Sequence, residues 1–442
     1  MGRTGGRRVR PLLKDRARKL LALSLALLAS PLAACGQEES GIPTLNWYIN
    51  PDNGGQLALA EKCAAASNGA FDINVSVLPN DATAQREQLV RRLAAQDASI
   101  DLMSLDPPFI PEFAQAGFLR PFSEAEAAEF TAGVLEGPIE SAMWDGRLVA
   151  APFWANTQLL WYRKSVAEGS GVDPAAQPAT WAQIIDAAEG EGATVGVQGN
   201  RYEGYMVLVS ALVSSAGGQI LRNPEAGKDV EPSINSDAGR KAAEVIEKLA
   251  SSDARDPGLS TSDEEAARAS FQGERGGYMV NWPYVYGAAQ EAVADGSLDQ
   301  AVLDDIGWAR YPQVEAGQES RPPLGGISLG IGAYSEHHDL ALQAARCITS
   351  LESQIEYMVG AKNPGARAAV YDDPEVRTIF PMADLIRQSI DAAAPRPKTP
   401  YYTDVSTAVV RSFHPPSSVD PATTPRRAAG LIVDVLNDKV LL

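Results

Sequence analysis

The chain has 442 residues, 45% of them hydrophobic and 21% charged, with a formal net charge of −18. That length is too great for one small core and predicts two domains or two lobes. Residues 1–34 hold eight Lys/Arg and one acid, so the remainder carries −25, a balance that excludes nucleic acid and peripheral binding to anionic lipid.

The first segment is a basic arm from Arg3 to Lys19 followed by an apolar run, Leu20–Leu32. Thirteen apolar or small residues are too few to span a bilayer but suit a secretory signal. The run ends in "LAAC", which resembles a bacterial lipobox. Cleavage after Ala34 would leave Cys35 as a lipidated N-terminus, and two or more acyl chains give stable anchoring. Two cysteines remain, Cys63 and Cys347, both in helix-like surroundings. Export to an oxidising compartment predicts a disulfide between them, with two buried thiols as the alternative.

Next, strand-like and helix-like segments alternate. "TLNWYI", a helix over Gln56–Ala66, "FDINVSVL", the helix-like "ATAQREQLVRRLAAQ" and "IDLMSLD" form a βαβαβ opening. This predicts an α/β fold with a largely parallel sheet and ligands at the carboxyl ends of its strands, where Asn50–Gly55 and Asp106–Phe109 fall. The extended run "LVAAPFWANTQLLWYRKS" suits a crossover into a second lobe. There "WAQIIDAAEGEG" leads to "ATVGVQG", and helices are expected at Ser236–Ser251 and Asp263–Gln272. In "GGYMVNWPYVYGAAQ" a strand gives way to a helix that Pro283 can open without wasting an amide donor. Trp282 sits at that junction and either plugs the core or forms a cleft wall. A second extended run, "PLGGISLGIG", precedes a helix at His338–Leu351, and Pro-rich breaks interrupt a helical C-terminal part near 394–400 and 415–425.

Enzyme signals are weak. His337, His338 and His414 lack metal-ligand spacing, and neither a Walker loop nor a dinucleotide fingerprint occurs, so neither metal nor cofactor is expected. "GISLG" matches a nucleophile-elbow pattern, with Asp339 and His414 in triad order. Alternating apolar residues continue past Ser328, however, which favours an uninterrupted strand. A glycosidase carboxylate pair remains the enzymatic alternative.

The lipobox, "IDLMSLD", "WANTQLLWYRK", "DEEAARASFQ" before "VNWPYVY", "GGISLGIG" and "NPGARAAVYDDP" together resemble the extracytoplasmic sugar-binding proteins of ABC importers. Within these, the likeness is to the LpqY-like trehalose-binding lipoproteins, from about Thr44 onward. The resemblance implies a two-lobe periplasmic-binding-protein-like fold of type II, with three crossover segments and a ligand cleft between lobes. The implied division is a signal at 1–34, a tether at 35–43, lobe one at 44–153 and 326–362, and lobe two at 154–325 and 363–442. Such a protein is not an enzyme. It would be monomeric, hold a disaccharide (trehalose favoured) and deliver it to an ABC permease with its ATPase.

Sugar recognition needs polar groups for the hydroxyl rim and an aromatic ring for the C–H faces. By resemblance these are Asp106 and Asn156 for hydroxyls, Glu264 or its neighbour Glu265, Trp282 as the platform, the backbone of Gly325, Gly326 and Ile327, and Arg367 as a donor fork. Local alternatives are a helix N-cap for Asp106, a turn for Asn156, a solvated helical turn for Glu264 and Glu265, and a surface ion pair for Arg367. Other expected ligands are maltose-type glucans or, against an acidic cleft, a phosphorylated sugar.

Overall fold

The computed structural model describes residues 41–441. The expected signal at 1–34, the expected lipidation site Cys35 and most of the expected tether lie outside the described residues. Among the described residues no helix is long and apolar enough to cross a membrane.

Two main sheets organise the chain, and their strands are numbered here in chain order. The first sheet contains β1 (Thr44–Ile49), β2 (Asp72–Val77), β3 (Leu102–Leu105), β4 (Ala151–Asn156) and β9 (Gly325–Ile331), in the order β2-β1-β3-β9-β4. The second contains β5 (Leu159–Arg163), β6 (Thr194–Gly196), β7 (Gly276–Asn281) and β8 (Ile306–Ala309), in the order β8-β5-β7-β6. The opening βαβαβ segment makes a parallel β2-β1-β3 ribbon, as its alternation of strand and helix predicts. Strand β9 lies antiparallel between β3 and β4, so the sheet is mixed rather than the largely parallel one expected, and the second sheet is mixed as well.

β3 and β7 are buried along their whole length, apolar but for Ser104 and Asn281, as strands covered on both faces are. Helix Gly55–Ala66 packs on the helices His338–Ile348 and Leu351–Ala361. One helix was expected over His338–Leu351; the structure ends it at Ile348, and Ser350 caps a new one through its side chain and Ser353 N. The cysteines meet on these neighbouring helices: Cys63 and Cys347 form a disulfide with Cα atoms 5.8 Å apart.

The chain passes from one sheet to the other between Asn156 and Leu159, returns between Ala309 and Gly325, and leaves the first sheet's helices again after Ala361. The fold is that of a mixed α/β, two-lobe binding protein of type II.

Candidate functional site

The loops at the carboxyl ends of β1 and β3 supply one wall of a cleft. Asn50 follows β1 directly, and Asp52 caps the next helix through Gly54 N at 3.0 Å and Gln56 N at 2.8 Å. Asp106 follows β3 and precedes Pro107, a position that suits an N-cap, yet its side chain makes no capping bond. Its carboxylate accepts from Arg396 Nη2 at 2.6 Å instead. The other arm of that guanidinium, Nη1, donates to Glu203 at 2.7 Å. Glu203 opens the helix Glu203–Ser215 and also accepts from the hydroxyls of Tyr402 and Ser406. Burial pushes the carboxyls of Asp106 and Glu203 upward, with Arg396 pulling against it in both.

The opposite wall is built around the end of β7. Asn281 fixes the strand-to-helix junction: its amide donates to Glu264 O at 2.9 Å and accepts from Trp282 N at 2.9 Å. Trp161 Nε1 donates to Asn281 O at 3.0 Å from the neighbouring strand β5. So held, Trp282 is half-buried and stands in the cleft wall, outside both hydrophobic cores. Its ring edge lies against Gly325, where an added Cβ would come within 3.1 Å of it. Gly326 has φ +118°, and a Cβ there would meet Trp154 O at 2.3 Å, so only glycine fits.

Asp263 caps the helix Glu264–Gln272 through Ala266 N at 2.9 Å, which sets the helix phase. Glu264 therefore lines the cleft and accepts from Tyr202 Oη at 2.6 Å. Burial pushes its carboxyl above the usual range, and among the described residues no cation lies within ion-pair distance of it. One residue further on, Glu265 turns out of the cleft toward Arg268 and Tyr284, the latter at 2.5 Å.

The cleft holds a cavity of about 380 Å³ that opens to solvent. Among the residues expected from sequence, it gathers Asp106, Asn156, Glu264, Trp282, Gly325, Gly326 and Ile327. It does not gather Glu265 or Arg367. Arg367 Nε donates to Thr349 O at 2.9 Å and Nη1 to Ala132 O, so its guanidinium ties loops of the first lobe together. The arginine at the cleft is Arg396, which the sequence reading missed because it lies in "APRPKTP", a stretch that reads as a Pro-rich break. Asn50, Trp154, Tyr202, Glu203 and Asn363 also line the cleft without having been singled out. Among the described lining residues, the carboxylates of Asp81, Asp106, Glu203 and Glu264 outnumber the one guanidinium, so an anionic ligand is disfavoured.

Ser328 is buried inside β9, paired with Leu105 on one side and Pro152 on the other, and forms no exposed elbow. Asp339 heads the helix His338–Ile348, while His414 bonds Ser260 O at 3.0 Å. Among the described residues no cluster of three or more His, Cys, Asp or Glu is placed to hold a metal.

A two-lobe fold with a polar, aromatic-walled cleft between its strand ends defines a ligand receptor. Residues 58–355 match the family "Bacterial extracellular solute-binding protein", and the chain belongs to that family. Its members serve ABC sugar transporters outside the cytoplasm, and they bind solutes without transforming them. A "Probable ABC transporter-binding protein" of Deinococcus radiodurans is 27% identical over 332 residues, 73% of this chain and 75% of the relative. Among solved structures, maltose-bound MalE3 of T. maritima is similar at TM-score 0.76 and 25% identity, over 90% of this chain and 100% of that one. The GacH receptor of Streptomyces glaucescens, solved with acarbose, shares the fold at TM-score 0.71 and 19% identity, over 90% of this chain and 98% of that one.

Proposed function

We propose that the chain is a lipid-anchored, monomeric receptor that binds a neutral disaccharide between its lobes and presents it to an ABC permease. The observation that carries this reading is the pairing of Trp282, half-exposed in the cleft wall, with the buried, cation-free carboxylate of Glu264 beside it. An aromatic face covers the C–H side of a sugar ring, and a carboxylate accepts from its rim. Asp106, Asn156 and the backbone of Gly325, Gly326 and Ile327 supply further polar contacts, and Arg396, in place of the expected Arg367, is the arginine at the cleft, where it holds Asp106 and Glu203. Glu265 stays outside the contact set.

Trehalose is the favoured ligand, on the resemblance carried by "NTQLLWY" and "VNWP". A maltose-type glucan is the second reading, favoured by the maltose-bound neighbour. The lobes divide as 44–153 with 326–362 and 154–325 with 363–442, and Cys35 carries the acyl chains. Calorimetry with trehalose, maltose and a phosphorylated disaccharide tests the reading. Wild type should bind one of the neutral sugars, and Trp282→Ala should lose most of that affinity with little change in melting. A variant that melts far lower yet binds normally would make Trp282 a core residue and remove the platform.

A further inference from the structure

A buried chain of hydrogen bonds runs through the first lobe and ends at the cleft. Trp47 Nε1 on β1 donates to Ser104 Oγ on β3 at 3.1 Å, and Ser104 donates to Gln56 Oε1 at 2.7 Å. Gln56 Nε2 donates to Asn50 O at 3.0 Å and to Asn50 Oδ1 at 3.3 Å. Trp47 and Gln56 are fully buried and Ser104 is 2% exposed, while Asn50 is half-exposed and lines the cleft. None of these four residues is a contact named above.

The ends of this chain fix its direction. An indole N–H can only donate, so Ser104 must receive there and pass its own proton onward. A backbone carbonyl can only accept, so the Gln56 group facing Asn50 O must be the NH₂. Reversing the Gln56 amide would set two acceptors against each other in a buried site, an arrangement strongly disfavoured there. With the Gln56 NH₂ facing it, Asn50 must turn Oδ1 inward. Its Nδ2 is then left with one long local contact, Pro51 O at 3.3 Å.

We infer that Gln56 is a positioning residue that locks the Asn50 carboxamide, so that Asn50 is a specificity-determining contact offering a donor to a hydroxyl oxygen of the bound sugar. This rests on the sugar-receptor reading. The wall opposite Glu264 therefore does the converse of Glu264: Glu264 demands a ligand hydrogen, while Asn50 demands a ligand lone pair.

The test uses calorimetry on the folded protein with whichever of trehalose and maltose wild type binds, together with its monodeoxy and monodeoxyfluoro analogues. Fluorine accepts weakly and cannot donate. At one hydroxyl position the wild type should bind the fluoro analogue roughly fivefold tighter than the deoxy analogue. In Asn50→Asp, which keeps the inward acceptor for Gln56 and so keeps its melting temperature, that preference should vanish or invert. Gln56→Met removes the donor that holds Asn50 Oδ1 without setting an acceptor against Asn50 O, and should weaken the preference when measured below its melting temperature. A wild type that favours fluorine over hydrogen at no position, or an Asn50→Asp protein with the wild-type ratio, would overturn the inference while leaving the receptor reading intact. A wild type that binds neither sugar would overturn the receptor reading and the inference with it.

Discussion

Replacing Arg396 by methionine is the sharpest probe of how the cleft is held. The side chain is 4% exposed and joins Asp106, which follows β3 of the first sheet, to Glu203, which opens a helix beside Tyr402 and Ser406. Methionine keeps most of the volume, so the loss is electrostatic. Removing one partner of a buried pair typically costs about 3–5 kcal/mol. The low end applies here, because Glu203 keeps two hydroxyl donors and the Asp106 side chain is 19% exposed. With an unfolding entropy of about 2.1 cal/mol/K per residue, a body of some 400 residues would melt about 4 °C lower. The deficit has a sign with pH. Stranded without its cation, Asp106 is pushed still further up by burial, so the folded state gains relative stability as pH falls through that raised value. Calorimetric melting at pH 7 and pH 5 should therefore show a smaller deficit at pH 5. Adding Asp106→Asn to Arg396→Met should restore part of the stability but not the sugar affinity. An Arg396→Met protein that melts with wild type at pH 7 would refute the view that this ion triad joins the two walls.

Glu264→Gln should melt higher than wild type at pH 7, since burial raises the Glu264 carboxyl and the ionised form opposes folding there. The gap should close as pH falls through that raised value, and wild-type sugar affinity should fall over the same range while the variant stays flat. Replacing Cys63 and Cys347 together by alanine should cost on the order of 2–5 kcal/mol by melting, because the bridge closes a loop of 284 positions. Thiol titration of the unreduced, unfolded protein should find neither cysteine free. Cys35→Ala should leave the detergent phase in a partition assay, because the acyl chains supply the membrane affinity.

Local pattern carried much of the fold. The βαβαβ opening, the strand ending at Asn281 and the helix begun at Pro283 all follow from alternation, apolar runs and proline placement. Local pattern placed Trp282 where two elements meet but left core plug and cleft wall open, and it was the resemblance carried by "VNWPYVY" that pointed to the wall. Arg396 was not legible. Its partner Asp106 lies 290 positions away, and nothing in "APRPKTP" marks a buried guanidinium among prolines. Arg367 was expected as a donor fork only by resemblance, and its guanidinium instead bonds the carbonyls of Thr349 and Ala132. The choice between Glu264 and Glu265 turned on helix phase. Successive helical residues point about 100° apart, so the cap at Asp263 decides which glutamate enters the cleft.

The wall proposed to hold the ligand is also the segment where the lobes join. Gly325 pairs with Asn156 and Gly326 with Ala155, so the first and second crossing segments lie side by side. Ala155 N donates to Pro364 O at 3.0 Å and Trp154 bridges to Gly365, which adds the third segment to the same ribbon. Asn156, Gly325, Gly326, Ile327 and Asn363 thus line the cleft from the three segments that any change in lobe angle must bend. Trp282 rests its ring on Gly325 from the second sheet, so a sugar stacked on that ring, as proposed above, would press on the crossing itself. Contact and hinge share atoms here. Ligand can bias lobe closure through differential contact with this ribbon alone, and a side chain at Gly326 would damage recognition and closure together.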